Sequence, residues 1–415
     1  MNLFNKKTLV ALSAATGCLV SLNAYSAGLE KNVNWSGKYN GVAGAATSSV
    51  SDSEGLIFNP AGLAGVEGNG DVHVNFSPTF SQFEGPVSST QVAKSVTGFS
   101  PLGGLTSAYR LDDSTVLGGG VFVSGGTQAR YDNVLTTNGS QGVAQSSIKL
   151  IEGTLGVATK VTDEVSVGLS WRISHGSANL SSVVKPTNQQ VSFEGFNGWD
   201  FAGFRLGAQY RKQNLGLGLS VRTPLSLKLE GDTKLAVLPN PSTSQDSGTT
   251  MKATFPLVIA LGADWSFNSK LKFITDLSYT NYAANKNLDI SGGAFIAGLK
   301  AAGALPIPLN WHDLYILRLG SELSLDSNTV LRAGYALISA VTNKDSARAT
   351  FSSPGLGHTL TLGAGSRFGN LDANAALDYS FASGTGTGNS LVKGLFPGDY
   401  KSHSYTAHLG VAYNY

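Results

Sequence analysis

The chain has 415 residues, a net charge of +2, 13% charged and 9% aromatic residues, and 51 glycines. So little charge beside so many aromatics excludes a disordered chain, and no basic stripe points to a nucleic-acid partner. The single cysteine, Cys18, leaves the rest of the chain no material for disulfides or thiolate metal sites.

The N-terminus carries Lys6 and Lys7, an apolar stretch from Thr8 to Leu22 and the small residues AYSAG, the three-part layout of a secretory signal peptide. Cleavage is expected near Ala24 to Ala27, which assigns residues 1–26 to the signal. Cys18 lacks the leucine three residues earlier that a lipid-modified cysteine prefers. Further along, no apolar run reaches the roughly 18 residues of a transmembrane helix.

Residues 27–70 show no strand-length alternation. They contain GLIFNPAGLAG, Gly55 to Gly65, which is apolar yet broken by Asn59-Pro60 and by glycines. Exposed to water, Leu56, Ile57, Phe58 and Leu63 would be a liability, whereas inside a wide barrel the same segment makes a plug.

Residues 71–415 alternate. In EVSVGLSWRISH, Val165, Val167, Leu169, Trp171 and Ile173 share one face, and Ser166, Gly168, Ser170, Arg172 and Ser174 share the other. Fourteen such segments start near Asp71, Leu102, Thr115, Ser147, Glu164, Trp199, Asn214, Met251, Lys270, Asn310, Asn328, Gly357, Asn370 and Ser402. Connections after even-numbered segments are tight, as in LDDS and VTDE. Those after odd-numbered segments are long and rich in Gly, Ser, Thr, Asn and Pro, among them Thr127 to Gln145, Gly231 to Thr250, Gly292 to Leu309 and Ser383 to Lys401.

Short turns on one rim, long loops on the other and an even strand number predict a 14-stranded antiparallel transmembrane β-barrel of the bacterial outer membrane, with segment 27–70 as a hatch in its lumen. A soluble sandwich would also give many alternating strands, but it would not sort its loops by parity. Arg110, Arg172, Arg205, Arg222, Arg318, Arg332 and Arg367 all fall on the small, polar face. An outward arginine at the bilayer midplane costs roughly 2 to 4 kcal/mol, so that face is the lumen. Asp264, Asp276, Glu322, Asp372 and Asp378 join the arginines there.

SGKYNGVAGAATSSVSDSEGLIFNPAGLAG, with the motif Asn59, Pro60 and Ala61, resembles the N-terminal hatch of the FadL/TodX family of outer-membrane transporters of long-chain fatty acids and other hydrophobic compounds. NWHDLYILRLGSELSLDSNTVLRAGYAL, Asn310 to Leu337, is similar to a late strand pair of that family. The resemblance implies passive uptake: ligand is caught among extracellular loops, enters a pocket inside the barrel and leaves sideways through a gap made by an inward kink of the third strand. In TVLGGGVFVSGG the kink is expected at Gly118, Gly119 and Gly120, where alternation breaks. The other reading of these glycines is a close approach of the hatch or a neighbouring strand.

Candidate ligand-binding residues are Phe58 and Leu63 of the hatch, Phe193 and Phe196 in the third long loop, and Phe295, Ile296 and Leu299 in the apolar fifth. Arg172, Arg205 and Arg318 are candidates to meet a ligand carboxylate, each with an inward Asp or Glu as the competing partner. The expected partners are hydrophobic small molecules (a fatty acid, hydrocarbon or detergent) and outer-membrane lipid, with the chain acting as a monomer. No histidine pair has metal-ligand spacing and neither H-E-x-x-H nor G-x-S-x-G occurs, so no metal, cofactor or enzymatic activity is expected. A barrel whose hatch never opens and a general porin are the alternatives.

Overall fold

The computed structural model describes residues 35–184, 188–239, 243–301, 305–351, 353–388 and 395–415. The expected signal segment and the start of the hatch lie outside the described residues.

Fourteen spanning strands form one antiparallel ring. In chain order they are β1 (Gly70–Ser88), β2 (Gly98–Arg110), β3 (Thr115–Leu135), β4 (Gln141–Lys160), β5 (Val165–Val184), β6 (Gln189–Lys212), β7 (Leu215–Arg222 and Leu225–Val237), β8 (Thr243–Phe255 and Val258–Ser266), β9 (Leu271–Thr280 and Asn287–Ser291), β10 (Ile307–Pro308 and Leu314–Ser324), β11 (Thr329–Ile338), β12 (Gly357–Phe368), β13 (Leu371–Gly386) and β14 (Gly398–Asn414). Each pairs with its sequence neighbours, and β14 closes the ring on β1 from Asp71↔Asn414 to Glu84↔Lys401. Closure leaves no edge strand, which the bilayer requires because lipid offers backbone groups no partner.

The expected parity of the connections holds, with tight turns such as 161–164 and 267–270 on one rim. The long loops are shorter than expected. β3 runs to Leu135 and β4 starts at Gln141, β7 runs to Val237 and β8 starts at Thr243, and β13 runs to Gly386. Above the bilayer a strand needs no lipid-facing apolar residue, so its alternation fades and its Gly, Ser and Thr read as loop.

The outward face is apolar and exposed, with Leu105, Leu117, Leu155, Leu169, Leu261, Leu317, Leu362 and Leu409 among many. Tyr109, Trp265, Phe368 and Tyr413 mark the short-turn rim of this band, and Phe80, Phe99, Trp199 and Tyr315 its other rim. The lumen face buries Arg172, Arg205, Arg222, Arg318 and Arg332.

Residues 35–69 lie inside the ring as short 3-10 turns (Tyr39–Val42, Pro60–Gly65) and one turn of helix, α1 (Gly55–Phe58). Irregular backbone is tolerated at this depth because protein surrounds it. The barrel makes room for it with inward glycines. On eleven of the fourteen strands, a Cβ added at Gly104, Gly118, Gly156, Gly168, Gly207, Gly218, Gly262, Gly320, Gly334, Gly363 or Gly410 would press against a hatch residue. At Gly334, for example, it would lie 2.5 Å from the nitrogen of Ala43. Eleven of the 51 glycines thus form a collar cut to the outline of the hatch.

Two of the remaining strands hold the hatch by side chains. Asp276 on β9 accepts from the Ala46 and Thr47 nitrogens and the Thr47 hydroxyl at 2.9, 3.0 and 2.7 Å. On β1, Asn75 accepts from Gly37 N at 2.8 Å and Asp71 from Ser53 N at 3.1 Å.

Candidate functional site

The motif Asn59-Pro60-Ala61 joins α1 to the 3-10 turn that follows it in the hatch. Asn59 is buried and extended (φ −160°, ψ 109°), ending α1 and capping the 3-10 turn that follows. Its Oδ1 accepts from Ala61 N at 3.1 Å, and its Nδ2 donates to Thr47 O at 2.7 Å and Ala208 O at 3.1 Å. One side chain thus ties two stretches of hatch to β6. Pro60 sits at the first position of the turn, where a missing N–H costs nothing.

A second cluster fixes the start of the hatch. Asp52 receives Lys38 Nζ and the Tyr39 hydroxyl, each at 2.8 Å. Burial alone would push the Asp52 carboxyl up, but the Lys38 charge and these hydrogen bonds, with the His73 charge, bring it down to about 2. Beside it Glu54 accepts from Asn75 Nδ2 at 2.7 Å and faces His73 at 3.3 Å.

Above the hatch lies a cavity of about 80 Å³ lined by Ile57, Phe58, Phe122 and Ser124 on one side and by Arg205, Arg222, Arg318 and Asp276 on the other. Arg205 donates to Leu56 O and Arg318 to Ser278 Oγ. Arg318 lies against Asp276, whose Oδ2 is held by the hatch, while Arg205 and Arg222 also feel the buried carboxylate of Glu152. Toward the long-loop rim the lumen turns apolar, with Leu150, Leu180, Phe193, Phe196, Leu227, Leu229, Phe255, Trp311 and Phe351 in one buried cluster. The helix α2 (Ala294–Ala301) adds Ile296 to this cluster, with Phe295 and Leu299 half-buried against it.

The wall beside the cavity is incomplete. The β2–β3 ladder runs from Arg110↔Val116 to Gly104↔Phe122 and stops. Beyond that pair, among the described residues, no register partners follow, and β3 is next met by residues preceding β2, where Val96 N donates to Arg130 O at 2.8 Å and Gln91 bonds Asn133 O and Leu135 N. At the same height β3 slips one residue against β4, between Val123 and Gly125. Gly126 takes φ +152°, a conformation open to glycine and strained for other residues. The result is a window between Phe99–Gly103 and Val123–Ala129, level with the outward Phe76, Phe80 and Phe99.

From inside, Trp35 covers the window. Its Nε1 donates to Val123 O at 3.0 Å, supplying the partner that β2 does not. Its ring sits 5.5 Å from that of Phe122 and so close over Gly104 that an added Cβ would lie 2.5 Å from Cζ2. Leu102, Phe122, Val123 and Ile57 complete the seal.

The ligand-binding residues expected from the sequence separate into four places. Phe58, Arg205 and Arg318 line the cavity, while Phe193, Phe196, Phe295, Ile296 and Leu299 belong to the apolar lumen above it. Leu63 packs instead with Leu56, Val66, Ala108, Val116 and Ala158 where the hatch meets β2 to β4 on the short-turn side. Arg172 is fully buried in an ion pair, its Nε donating to Glu152 Oε2 at 2.8 Å, and does not line the cavity.

The kink expected at Gly118, Gly119 and Gly120 is displaced. These glycines pair in unbroken register with Ala108, Ser107 and Thr106 on β2 and with Gly156, Leu155 and Thr154 on β4. Gly118 is small because Leu63 of the hatch lies against it, and the register breaks a few residues later at Val123 to Gly126. Sequence reasoning missed Trp35, Phe122 and Ser124, and counted Arg222 only as an inward arginine. A lone tryptophan in a Gly- and Ser-rich plug was the available signal.

The chain matches, over residues 17–412, the family model described as outer membrane protein transport protein (OMPP1/FadL/TodX). The chain belongs to the FadL/TodX family. It is an outer-membrane β-barrel transport protein, and the family is one of transport channels rather than enzymes. Among solved structures it resembles a Pseudomonas aeruginosa FadL homologue, with a TM-score of 0.78 and 16% identity over 94% of this chain and 100% of that one. The Pseudomonas putida toluene transporter TodX gives 0.73 and 17% over 93% and 99%. The Ralstonia pickettii toluene transporter TbuX gives 0.72 and 17% over 93% and 99%. These likenesses are of fold. No curated protein sequence matches the chain.

Proposed function

We propose that this FadL/TodX-family barrel takes up hydrophobic compounds with an acidic head, such as long-chain fatty acids, and releases them sideways into the bilayer through the window between β2 and β3. The observation that carries this reading is the loss of β2–β3 pairing beside the lumenal cavity. An axial route would need the hatch to leave a collar that it touches nearly all the way round. A lateral route needs only Trp35 and its neighbours to move.

The ligand's own chemistry favours the same exit. Each CH₂ gains roughly 0.8 kcal/mol on leaving water, so a tail passes downhill into lipid and uphill into the periplasm. A carboxylate head would be drawn to Arg205, Arg222 and Arg318, and its tail to the apolar cluster above. The cavity of about 80 Å³ is roughly half the size of one that accepts benzene, so it takes the head while Ile57 and Phe58 yield to the tail. TodX and TbuX are described as toluene transporters, and neutral aromatics would use the same window without engaging the arginines.

Deleting Ser124 tests the proposal. Val123 and Gly125 already oppose consecutive residues Ile151 and Leu150, so the deletion removes the residue that bulges and lets β3 run straight. Uptake of labelled oleate and of toluene should both fall at least tenfold in a strain dependent on this protein, with barrel insertion unchanged. Undiminished uptake of both would exclude the window as the exit.

A further inference from the structure

The outer wall carries a second feature, about two-fifths of the circumference away from the window. β7, β8 and β9 all break at one height: Thr223-Pro224 divides β7, Pro256-Leu257 divides β8, and residues 281–286 divide β9 around the 3-10 turn Tyr282–Ala284. On their long-loop side is an outward depression of about 270 Å³ lined by Lys252, Thr254, Asn285, Lys286, Asn287 and Asp289.

Lys228 and Lys252 are direct register partners on β7 and β8, both exposed. Like charges opposite one another destabilise a strand pair. Glu230 relieves one of them, accepting from Lys228 Nζ at 2.8 Å. Asp289 pairs in register with Lys252, but among the described residues no carboxylate is within ion-pair distance of Lys252 or Lys286. The depression therefore presents two ammonium groups and one carboxylate, with hydroxyl and amide donors between them.

Its height defines its solvent. Leu257 and Ile259 of β8 and Tyr279 and Tyr315 of β9 and β10 are the outermost apolar residues below it. Lys252 lies five residues beyond Leu257. For a strand tilted by about 40° that is roughly 10–15 Å, which places the lysines in the headgroup layer above the acyl chains. A cation at this level meets the phosphates of outer-leaflet lipid.

We propose that the depression binds the phosphate of an outer-leaflet glycolipid between Lys252 and Lys286, with the lipid's acyl chains lying on the apolar band below. The phosphate offsets the Lys228–Lys252 repulsion, and Thr254 and Asn287 can donate to its remaining oxygens, while Asn285 Nδ2 is held by Thr254 O at 2.8 Å. Asp289 at the edge disfavours a second anion, so one phosphate is held per barrel.

The test is native mass spectrometry of the full chain in detergent with a bisphosphorylated glycolipid, its dephosphorylated form, or inorganic phosphate at millimolar concentration. The wild type should retain one phosphorylated glycolipid and at least tenfold less of the dephosphorylated form, and inorganic phosphate should not displace the lipid. Lys252→Gln with Lys286→Gln should lower occupancy at least tenfold, while Lys94→Gln, on the far side of the barrel, should leave it unchanged. Heat-modifiable migration on gels establishes that each variant is folded. Equal retention by the double variant, or equal retention of the dephosphorylated lipid, overturns the site, and displacement by inorganic phosphate overturns the lipid as its occupant.

Discussion

If Trp35 is the cover of the window, Trp35→Ala should speed transport rather than impair it. The ring is 1% exposed, and truncating a buried tryptophan to alanine costs about 3–5 kcal/mol in a folded core. Of this, the hydrogen bond to Val123 O accounts for about 0.5–1.5 kcal/mol and the ring contact with Phe122 for a similar amount. Both exist only while the window is covered. Their loss, about 2 kcal/mol, shifts the balance from covered to open roughly 30-fold, since each 1.4 kcal/mol is a factor of ten. The initial rate of labelled oleate uptake should rise by between threefold, where capture at the loops takes over as the slow step, and about 30-fold. The assay is a time course in cells that depend on this protein, normalised to the amount of heat-modifiable barrel. An unchanged or slower rate at equal barrel content would refute the assignment of Trp35 as the cover.

Other outcomes follow from the same geometry. Asn59→Ala leaves Ala61 N and Ala208 O without their side-chain partner, at about 1–3 kcal/mol, and should accelerate hydrogen exchange in residues 45–62 with the barrel intact. Arg205→Gln with Arg318→Gln should weaken oleate binding about tenfold, measured by calorimetry, and leave toluene uptake unaffected, whereas Arg172→Ala should cost about 3 kcal/mol of stability by removing the direct ion-pair partner of the buried Glu152. Asp52 is held at about 2 in the folded hatch against an ordinary value near 4, so its pair with Lys38 stabilises the hatch fully above about pH 4. That contribution is lost as the pH falls from 4 through 2, and protease sensitivity of residues 35–69 should rise in that interval.

The barrel was legible because lipid imposes the same constraint on every spanning strand. An arginine on the lipid face costs too much to be noise, so the arginines assigned the lumen and the parity of the loops the strand count. The kink was not legible, because glycine has two uses in this wall. Gly118 accommodates Leu63, and only Gly126 relaxes the backbone, yet both stand in similar Gly-rich stretches of β3. Arg172 and Arg205 likewise looked alike, since both alternate inward and only tertiary packing puts Arg172 in direct contact with Glu152 while Arg205 reaches Leu56 O. Leu63 and Phe58 are close neighbours in the hatch, but the turn after Asn59 sends one toward the short-turn rim and leaves the other at the cavity.

The glycine collar also bears on how the molecule is assembled. A segment notched into eleven strands fits the ring closely all round, and it is joined directly to β1, whose meeting with β14 completes that ring. The fit favours an assembly in which the hatch is in position while the cylinder is still an open sheet and the strands wrap around it as staves around a mandrel. Circumference and register are then gauged against a solid centre, and a replacement as small as Gly334→Leu should appear first as slow closure during biogenesis, before any effect on what the mature protein carries.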